Sequence, residues 1–415
     1  MPLETSTIIS TDADLKRFCD DLTGARTIAI DTEFVAEHSY RPQLCIAQVA
    51  AEGRMAVIDA MAIECIQPFW ELLASPGHET IVHAGRQEVV FCLDAIGRPP
   101  TGLWDVQLAA GLVGLDYPAG YNTLIRELLG RAATKTETRS DWRRRPLSQR
   151  QIDYALDDVA HLEPLRESLL KRLGQLDRLQ WYQTEMNRWL SDLQDALTRD
   201  PWRRVAGSSR LSRRELAVVR ELWHWRDTVA QQRDCVARRV LRDDLIVELA
   251  RRKSADLKVI GAVRGLDRGD LKRCRPEIAD AVRRAIELPQ EELPQPVRRD
   301  TKPQAAMVTQ FLNSALTSIC RRARVAPALV GTVSDIRELV AYRLDPRSDG
   351  DQPPALTQGW RAEVVGRTLD DLLAGKTCIR IEDPRSPQPL TFIPAAPGNH
   401  SLGRPGFADG SEADD

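Results

Sequence analysis

Four short runs near the start of the chain are dense in β-branched and other apolar residues: Thr27 to Phe34 (TIAIDTEF), Leu44 to Ala50 (LCIAQVA), Met55 to Ala60 (MAVIDA) and Thr80 to Ala84 (TIVHA). Runs of this length and composition, bounded by polar and glycine-containing stretches, predict strands. From Ile63 onward helical spacing of the apolar positions alternates with strand patterns. Three strands in quick succession and then strand-helix alternation predict a mixed sheet flanked by helices, a meander first and parallel strands after it. This is an α/β domain over residues 1–175.

Strand patterns stop after Gln175, and helical patterns rich in Trp and Arg run almost to Leu288. We divide this part into a helical connector, 176–210, and a helical domain, 211–290. The segment Leu288 to Gln304 (LPQEELPQPVRRDTKPQ) is polar and proline-rich, which predicts a linker over 291–303. A third, mainly helical domain is expected over 304–396, with two short strands at Ile379-Arg380-Ile381 and Leu390-Thr391-Phe392 closing it. The last stretch, 397–415, holds Gly, Pro, Ser and acidic residues with little to bury, and disorder is expected there.

At 415 residues the chain suits two or three domains of roughly 100 to 200 residues each. No apolar run approaches the roughly 18 residues of a membrane span, and the N-terminus lacks a basic stretch leading into an apolar core. A soluble, cytoplasmic protein is the expectation. Eight cysteines without a CxxC pair and six unclustered histidines argue against a zinc site or a disulfide framework. The net charge of -2 hides an uneven distribution, since 201–300 holds 24 Lys plus Arg against 16 Asp plus Glu. Such an arginine-dominated excess suits a polyanion, and a solvated helical surface is the competing reading.

Asp31 and Glu33 lie two apart at the end of a strand run, so their side chains leave the strand on one face. An acidic pair on a solvated face would be ordinary, but Ile28, Ala29 and Ile30 are apolar on both faces, as in a buried strand. Buried carboxylates are costly unless paired or bound to a cation, and a divalent metal is the natural compensation. In Ser148 to Pro164 (SQRQIDYALDDVAHLEP), Tyr154 and Asp158 stand one helical turn apart behind a capping Ser148, a pattern that an ordinary amphipathic helix also gives. Between these clusters, VHAGRQEVVFCL (Val82 to Leu93) reads as a strand that turns through Gly85 into a helix bearing Glu88.

In this order, and with DTEFVAEHSYRPQLCIAQ following the first strand, LWDVQLAA around Trp104-Asp105, and KTETRSDWRRRPLSQRQIDYALDDVAHLEPL from Lys135 to Leu165, these motifs resemble ribonuclease D. That family belongs to the exonuclease superfamily with four acidic residues and a tyrosine, and the resemblance implies a ribonuclease-H-like fold for the first domain. Carried over by position, it makes Asp31, Glu33 and Asp158 metal ligands and Tyr154 the group that orients the attacking water. The fourth acidic position falls on Glu88, where the family usually has Asp. Asp94 lies about 240° around the same helix from Glu88 and is a poorer substitute. Asp105 is a further candidate whose place also fits a helix cap. The superfamily's histidine variant would need its histidine at Asp153, and His161 does not match it.

Hard carboxylate oxygens select Mg²⁺ or Mn²⁺ over zinc, and two such ions would support in-line hydrolysis releasing nucleoside 5′-monophosphates. Ahead of the Tyr154 helix, Lys135, Arg139, Trp142 and Arg143, with Arg144 and Arg145, are the expected substrate-binding residues. The competing reading is a solvated loop with Trp142 tucked into the core. From about Leu211 to Pro289 the chain resembles the helicase-and-RNase-D C-terminal (HRDC) domain, carried by Leu222-Trp223-His224-Trp225-Arg226-Asp227 and Val240-Leu241-Arg242-Asp243-Asp244-Leu245. The third domain looks like the additional C-terminal domain of many ribonuclease D relatives.

The expected function is therefore a 3′-to-5′ exoribonuclease acting on the 3′ ends of structured RNA such as transfer RNA precursors. Two alternatives stay open. One is a DNA 3′-to-5′ exonuclease acting on single-stranded DNA, because no residue recognisably reads a 2′-hydroxyl. The other is a nucleic-acid-binding protein whose exonuclease site is impaired at Glu88.

Overall fold

The computed structural model of the protein describes residues 6–131, 140–296, 303–344 and 353–395. In it the chain begins with strand β1 (Ser6–Ile9) and helix α1 (Asp12–Asp21), and then runs the expected meander of β2 (Thr27–Val35), β3 (Gln43–Ala51) and β4 (Arg54–Ile58). Alternation follows, through α2 (Gln67–Leu73), β5 (Glu79–Val82), α3 (Arg86–Ile96), β6 (Leu103–Asp105) and α4 (Val106–Leu112). The six strands are ordered β1-β4-β3-β2-β5-β6. The β2–β3 and β3–β4 pairs are antiparallel, and the β1–β4, β2–β5 and β5–β6 pairs are parallel.

Burial explains why β2 can be so apolar. Ile28, Ala29 and Ile30 are all buried, so the strand is covered on both sides before it reaches Asp31. On the face of Thr32 and Phe34 lie α2 and α3: the rings of Phe34 and Phe91 meet edge to face at 5.7 Å, and Trp70 stands 6.3 Å from Phe91. Against the other face pack α6 (Gln149–Ala160) and α7 (Leu162–Gln175), which follow the nine-residue α5 (Tyr121–Leu129). The apolar stripe of α6, with Ile152, Ala155 and Leu156, joins Ile46 and Val57 in one cluster. The pairing of β2 with β3 slips between Glu33 and Phe34, leaving Cys45 as an extra residue in β3. Such a bulge bends β3 where it passes the two acidic positions of β2.

Helix α8 (Leu179–Thr198) leaves this domain, and its buried Tyr182 stacks on Trp104 and accepts a hydrogen bond from the Asp105 amide at 2.8 Å. Next comes a helical bundle of α9 (Arg213–Gln232), α10 (Ala237–Val240), α11 (Asp243–Arg252), α12 (Leu257–Gly261), α13 (Gly269–Arg273) and α14 (Arg275–Glu287). A Ser212–Glu215 capping box starts α9. The bundle has its own apolar core, in which Leu222, Ile246 and Val282 are fully buried. It is tied to the sheet domain by the loop after β2. The Tyr40 hydroxyl donates to Asp227 at 2.9 Å, and the Tyr40 amide donates to Asp234 at 3.0 Å.

Residues 1–300 form one compact unit and 301–415 another. The second unit comprises α15 (Pro303–Ala323), α16 (Pro327–Val330), α17 (Val333–Leu344), α18 (Gly359–Arg361), a single π-turn at Ala362–Gly366, α19 (Arg367–Leu373) and the hairpin β7 (Thr377–Ile381) with β8 (Leu390–Pro394). It is mainly helical and does end in two strands. Inside it, the buried Arg361 guanidinium donates to the carbonyls of Leu329 and Val330. The tail expected at 397–415 lies outside the described residues. Among the described residues no helix is long and apolar enough to cross a membrane.

Candidate active site

Three elements bring the acidic residues together. Asp31 and Glu33 project from the end of β2 on the side covered by α6 and α7. Tyr154 and Asp158 come from α6, whose first turn is fixed by a capping box between Ser148 and Gln151. The break between α6 and α7 is held by Tyr121. Its hydroxyl donates to the Asp157 carbonyl at 3.1 Å and accepts from the His161 amide at 3.2 Å.

Glu88 depends on the tight turn between β5 and α3. Ala84 adopts a left-handed backbone, φ 57°, a conformation uncommon for residues other than glycine. A Cβ at Gly85 would come within 2.4 Å of Val82 Cγ2, so glycine is required there. The Asp105 carboxylate fastens the turn by accepting from the amides of Ala84 and Gly85, both at 3.1 Å, and it caps α4 through the Gln107 amide at 2.8 Å. Asp105 is therefore a structural brace, as its position before a helix allowed. Asp94 is engaged elsewhere, in an ion pair with Arg41 at 2.6 Å.

A cleft of about 340 Å³ opens over Asp31, Glu33, Tyr154 and Asp158, with His83, Tyr121, Asn122 and Thr123 forming its wall. Glu88 is not among the lining residues. It is buried, and its Oε1 accepts a hydrogen bond from Thr32 Oγ1 at 2.5 Å. Thr32 points from the face of β2 opposite to that of Asp31 and Glu33.

Burial pushes every one of these carboxyls toward its neutral form, and a neighbouring acidic group adds to it in each case. Asp31 is held well above the usual carboxylate range by burial and by Glu88, Asp158 and Glu33. Burial raises Glu33 to about 7, with Asp158 and Glu88 adding to the effect. Asp158 is also raised to about 7 by burial, against the opposing effect of its hydrogen bond with Tyr154. Burial raises Glu88 too, opposed by its bond to Thr32. The Tyr154 hydroxyl is driven upward by burial and by the nearby carboxyls, so it stays protonated at neutral pH.

Carboxyls of this kind offer the hard oxygen donors that a divalent cation takes. As placed, however, no three or more His, Cys, Asp or Glu side chains among the described residues converge closely enough to hold an ion. Glu88 leans on Thr32, and Asp158 is hydrogen-bonded to Tyr154. The residue types fit a divalent ion, and loading one requires these side chains to turn inward.

The expected substrate-binding residues fare differently. Trp142 is 5% exposed and packs with Cys45, Ile46 and Ile152, so its ring is core and is not available to stack on a base. That corrects the reading of Trp142 as a substrate contact. Arg145 is likewise structural. It pairs with Asp59 at 2.5 Å and donates to the carbonyls of Trp142 and Cys45. Arg143 is exposed beside Asp141 at 3.1 Å, and Lys135 and Arg139 lie outside the described residues. Part of the arginine excess in the bundle is also internally engaged, as in Arg226–Asp243 at 2.5 Å and Arg214, which donates to the carbonyls at the end of α14.

The cleft wall is what sequence reasoning missed. His83 stands inside a quoted motif but was assigned no part. Its Nε2 lies 2.8 Å from the Ala119 carbonyl, an acceptor only, so that nitrogen carries the proton. Tyr121, Asn122 and Thr123 open α5, and the only local signal for them is Gly120 ahead of a short amphipathic run.

Residues 6–174 match the family described as 3′-5′ exonuclease, and residues 215–282 match the HRDC domain. Ribonuclease D of Granulibacter bethesdensis is 35% identical over 386 residues, covering 91% of this chain and 94% of that protein. Ribonuclease D of Gluconacetobacter diazotrophicus is 33% identical over 387 residues, covering 91% and 95%. Among solved structures, Escherichia coli RNase D, described as an exoribonuclease involved in structured RNA processing, superposes with a TM-score of 0.77 at 27% identity. The match covers 89% of this chain and 99% of that one.

Proposed function

The chain belongs to the ribonuclease D family of 3′-to-5′ exoribonucleases, and from that premise we propose that it trims the 3′ ends of structured RNA, transfer RNA precursors among them, one nucleoside 5′-monophosphate at a time. Asp31, Glu33, Glu88 and Asp158 would hold two Mg²⁺ or Mn²⁺ ions, and Tyr154 would orient the attacking water. The observation that carries this reading is the raising of Asp31, Glu33 and Asp158 along one cleft, with Glu88 buried and raised outside its lining; a divalent cation bound there would offset their charge.

When bound, divalent ions supply charge stabilisation to an in-line phosphodiester displacement and acidify the attacking water. The chain's own residues do the rest. Tyr154, protonated at neutral pH, aligns the water through its hydroxyl and is a poor base for removing its proton. Asp158, one turn on, fixes the direction of that hydroxyl. His83 and Tyr121 wall the cleft where the terminal nucleotide is to lie, and His83 locks the backbone at Ala119 that leads into α5. Positioning of this kind accounts for much of the rate in such reactions.

Support for a structured RNA substrate comes from the relatives and from the bundle that matches the HRDC domain. The impaired-site reading draws on one observation, the tether of Glu88 to Thr32 outside the cleft lining. Matched RNA and DNA oligonucleotides labelled at the 5′ end, incubated with the purified protein and Mg²⁺ or Mn²⁺, separate the readings. Stepwise shortening of RNA supports the proposal. Preferential shortening of DNA would overturn it in favour of a DNA exonuclease, and no shortening with either metal would favour the impaired site.

A further inference from the structure

Gln48 stands directly opposite Asp31 in the antiparallel pairing of β2 with β3, and opposite Val57 on its other side. Side chains directly opposite in such a pair share a face, with Cβ atoms about 4.5–5.5 Å apart. The Gln48 carboxamide therefore leaves the sheet beside the Asp31 carboxyl, on the side covered by α6. Its flanking positions on that face are apolar: Ile46 and Val57 are packed under Ile152, Ala155 and Leu156.

Gln48 is 0% exposed, and neither its Nε2 nor its Oε1 has a hydrogen-bond partner among the described residues. Buried amides are nearly always satisfied, and one left unpaired weakens the fold. A glutamine that merely filled this space would be outperformed by methionine, which has nearly the same shape and no polar atoms to desolvate. The amide is therefore explained by a partner that appears only in another state of the site. The group directly opposite it in the register is Asp31, one of the proposed metal ligands.

We propose that Gln48 is a positioning residue: its Nε2–H donates to Asp31 when Asp31 turns to hold a divalent ion, and so fixes the ligand's orientation. The inference rests on the metal-binding reading given above. Hydrogen-bond partners of this kind, one step removed from the ion, set ligand direction and are worth about 10- to 100-fold in metal affinity or activity.

The test compares full-length wild type with Gln48→Met after removal of metal by chelation. Calorimetric titration with Mn²⁺ is the main measurement, joined by thermal unfolding without metal and by kcat and KM on 5′-labelled RNA. The expected result is Mn²⁺ binding weaker by about tenfold, a lower kcat with KM for RNA unchanged, and metal-free thermal stability equal to or above wild type. Gln48→Asn, which keeps the amide but withdraws it by one methylene, should weaken Mn²⁺ binding to an intermediate extent. Equal Mn²⁺ affinity in wild type and the Met variant overturns the inference. So does a Met variant that unfolds more readily without metal, because the amide would then be serving the fold. If the wild type itself binds no Mn²⁺, the metal-site reading falls and this inference with it; if it binds and the variants bind as well, only the role of Gln48 is lost.

Discussion

Thr32 donates its hydroxyl to Glu88 at 2.5 Å, a side-chain bridge from β2 to α3 that holds the fourth acidic residue toward the face of the strand away from Asp31 and Glu33. The extra methylene of glutamate serves that bridge. Aspartate at 88 would be too short to lean on Thr32 in the same way, and its carboxylate would be freer to join the other three. Glu88→Asp is therefore expected to keep or raise turnover on RNA while losing folding stability on the order of 1 kcal/mol for the missing bond. Thr32→Val should show the same stability loss in a denaturant titration. Complete loss of activity in Glu88→Asp would mean that the site is built around glutamate.

The raised carboxyls make stability and metal binding depend on pH in opposite senses. Glu33 and Asp158 titrate at about 7 in the fold, against ordinary values of 4.5 and 3.8. Between those limits the folded, metal-free protein holds protons that the unfolded chain has released. The stabilisation they represent is complete below the ordinary values and disappears as pH rises through about 7. A divalent ion replaces those protons, so its binding strengthens over the same interval. Thermal unfolding in chelator is expected at a higher temperature at pH 5 than at pH 8, and the gain on adding Mn²⁺ should be larger at pH 8. The reverse order in both series would contradict this assignment.

Trp142 belongs to the core beneath α6, so its truncation should be read out in stability. Trp142→Ala is expected to cost about 3–5 kcal/mol of folding free energy, whereas Trp142→Phe should fold and bind RNA with near wild-type affinity. Arg143→Ala should leave stability unchanged and reduce the salt dependence of RNA binding by about one phosphate contact. Weakened RNA binding in a well-folded Trp142→Phe protein would restore the stacking role.

The loop after β2 connects the sheet domain to the helical bundle through Tyr40. Its hydroxyl is held by both oxygens of Asp227, at 2.9 and 3.0 Å, and burial together with Asp227 raises its pKa. A double-mutant cycle of Tyr40→Phe and Asp227→Ala should reveal a coupling of about 1 kcal/mol in unfolding free energy. Strictly additive losses would show that the contact contributes nothing.

The parts of this architecture written in local pattern were legible in the sequence. The continuous apolar runs in TIAIDTEF and LCIAQVA mark β2 and β3, and the capped amphipathic run after Ser148 marks α6. Strand β1, four residues at a sheet edge, carries too little pattern to be recognised as a strand without its partner. What was missed in the site depends on contacts between distant segments. Trp142 is core because α6 folds back over β3, and Tyr121 lines the cleft because α5 packs against α7. Gln48 was visible as a motif position, but its meaning comes from the register that sets it opposite Asp31. The departure at Glu88 could be read directly, whereas its tether to Thr32 could not.

Whether the carboxyl cluster around Asp31 performs metal-dependent 3′-to-5′ hydrolysis of RNA is decided by one comparison. Wild type and Asp31→Asn, purified identically, are given a 5′-labelled RNA with Mn²⁺ and, in parallel, with excess chelator. A stepwise ladder of shortened products is expected for the wild type with Mn²⁺ alone, and none for Asp31→Asn under either condition. A ladder from Asp31→Asn equal to that of the wild type, or one that persists in chelator, would contradict it.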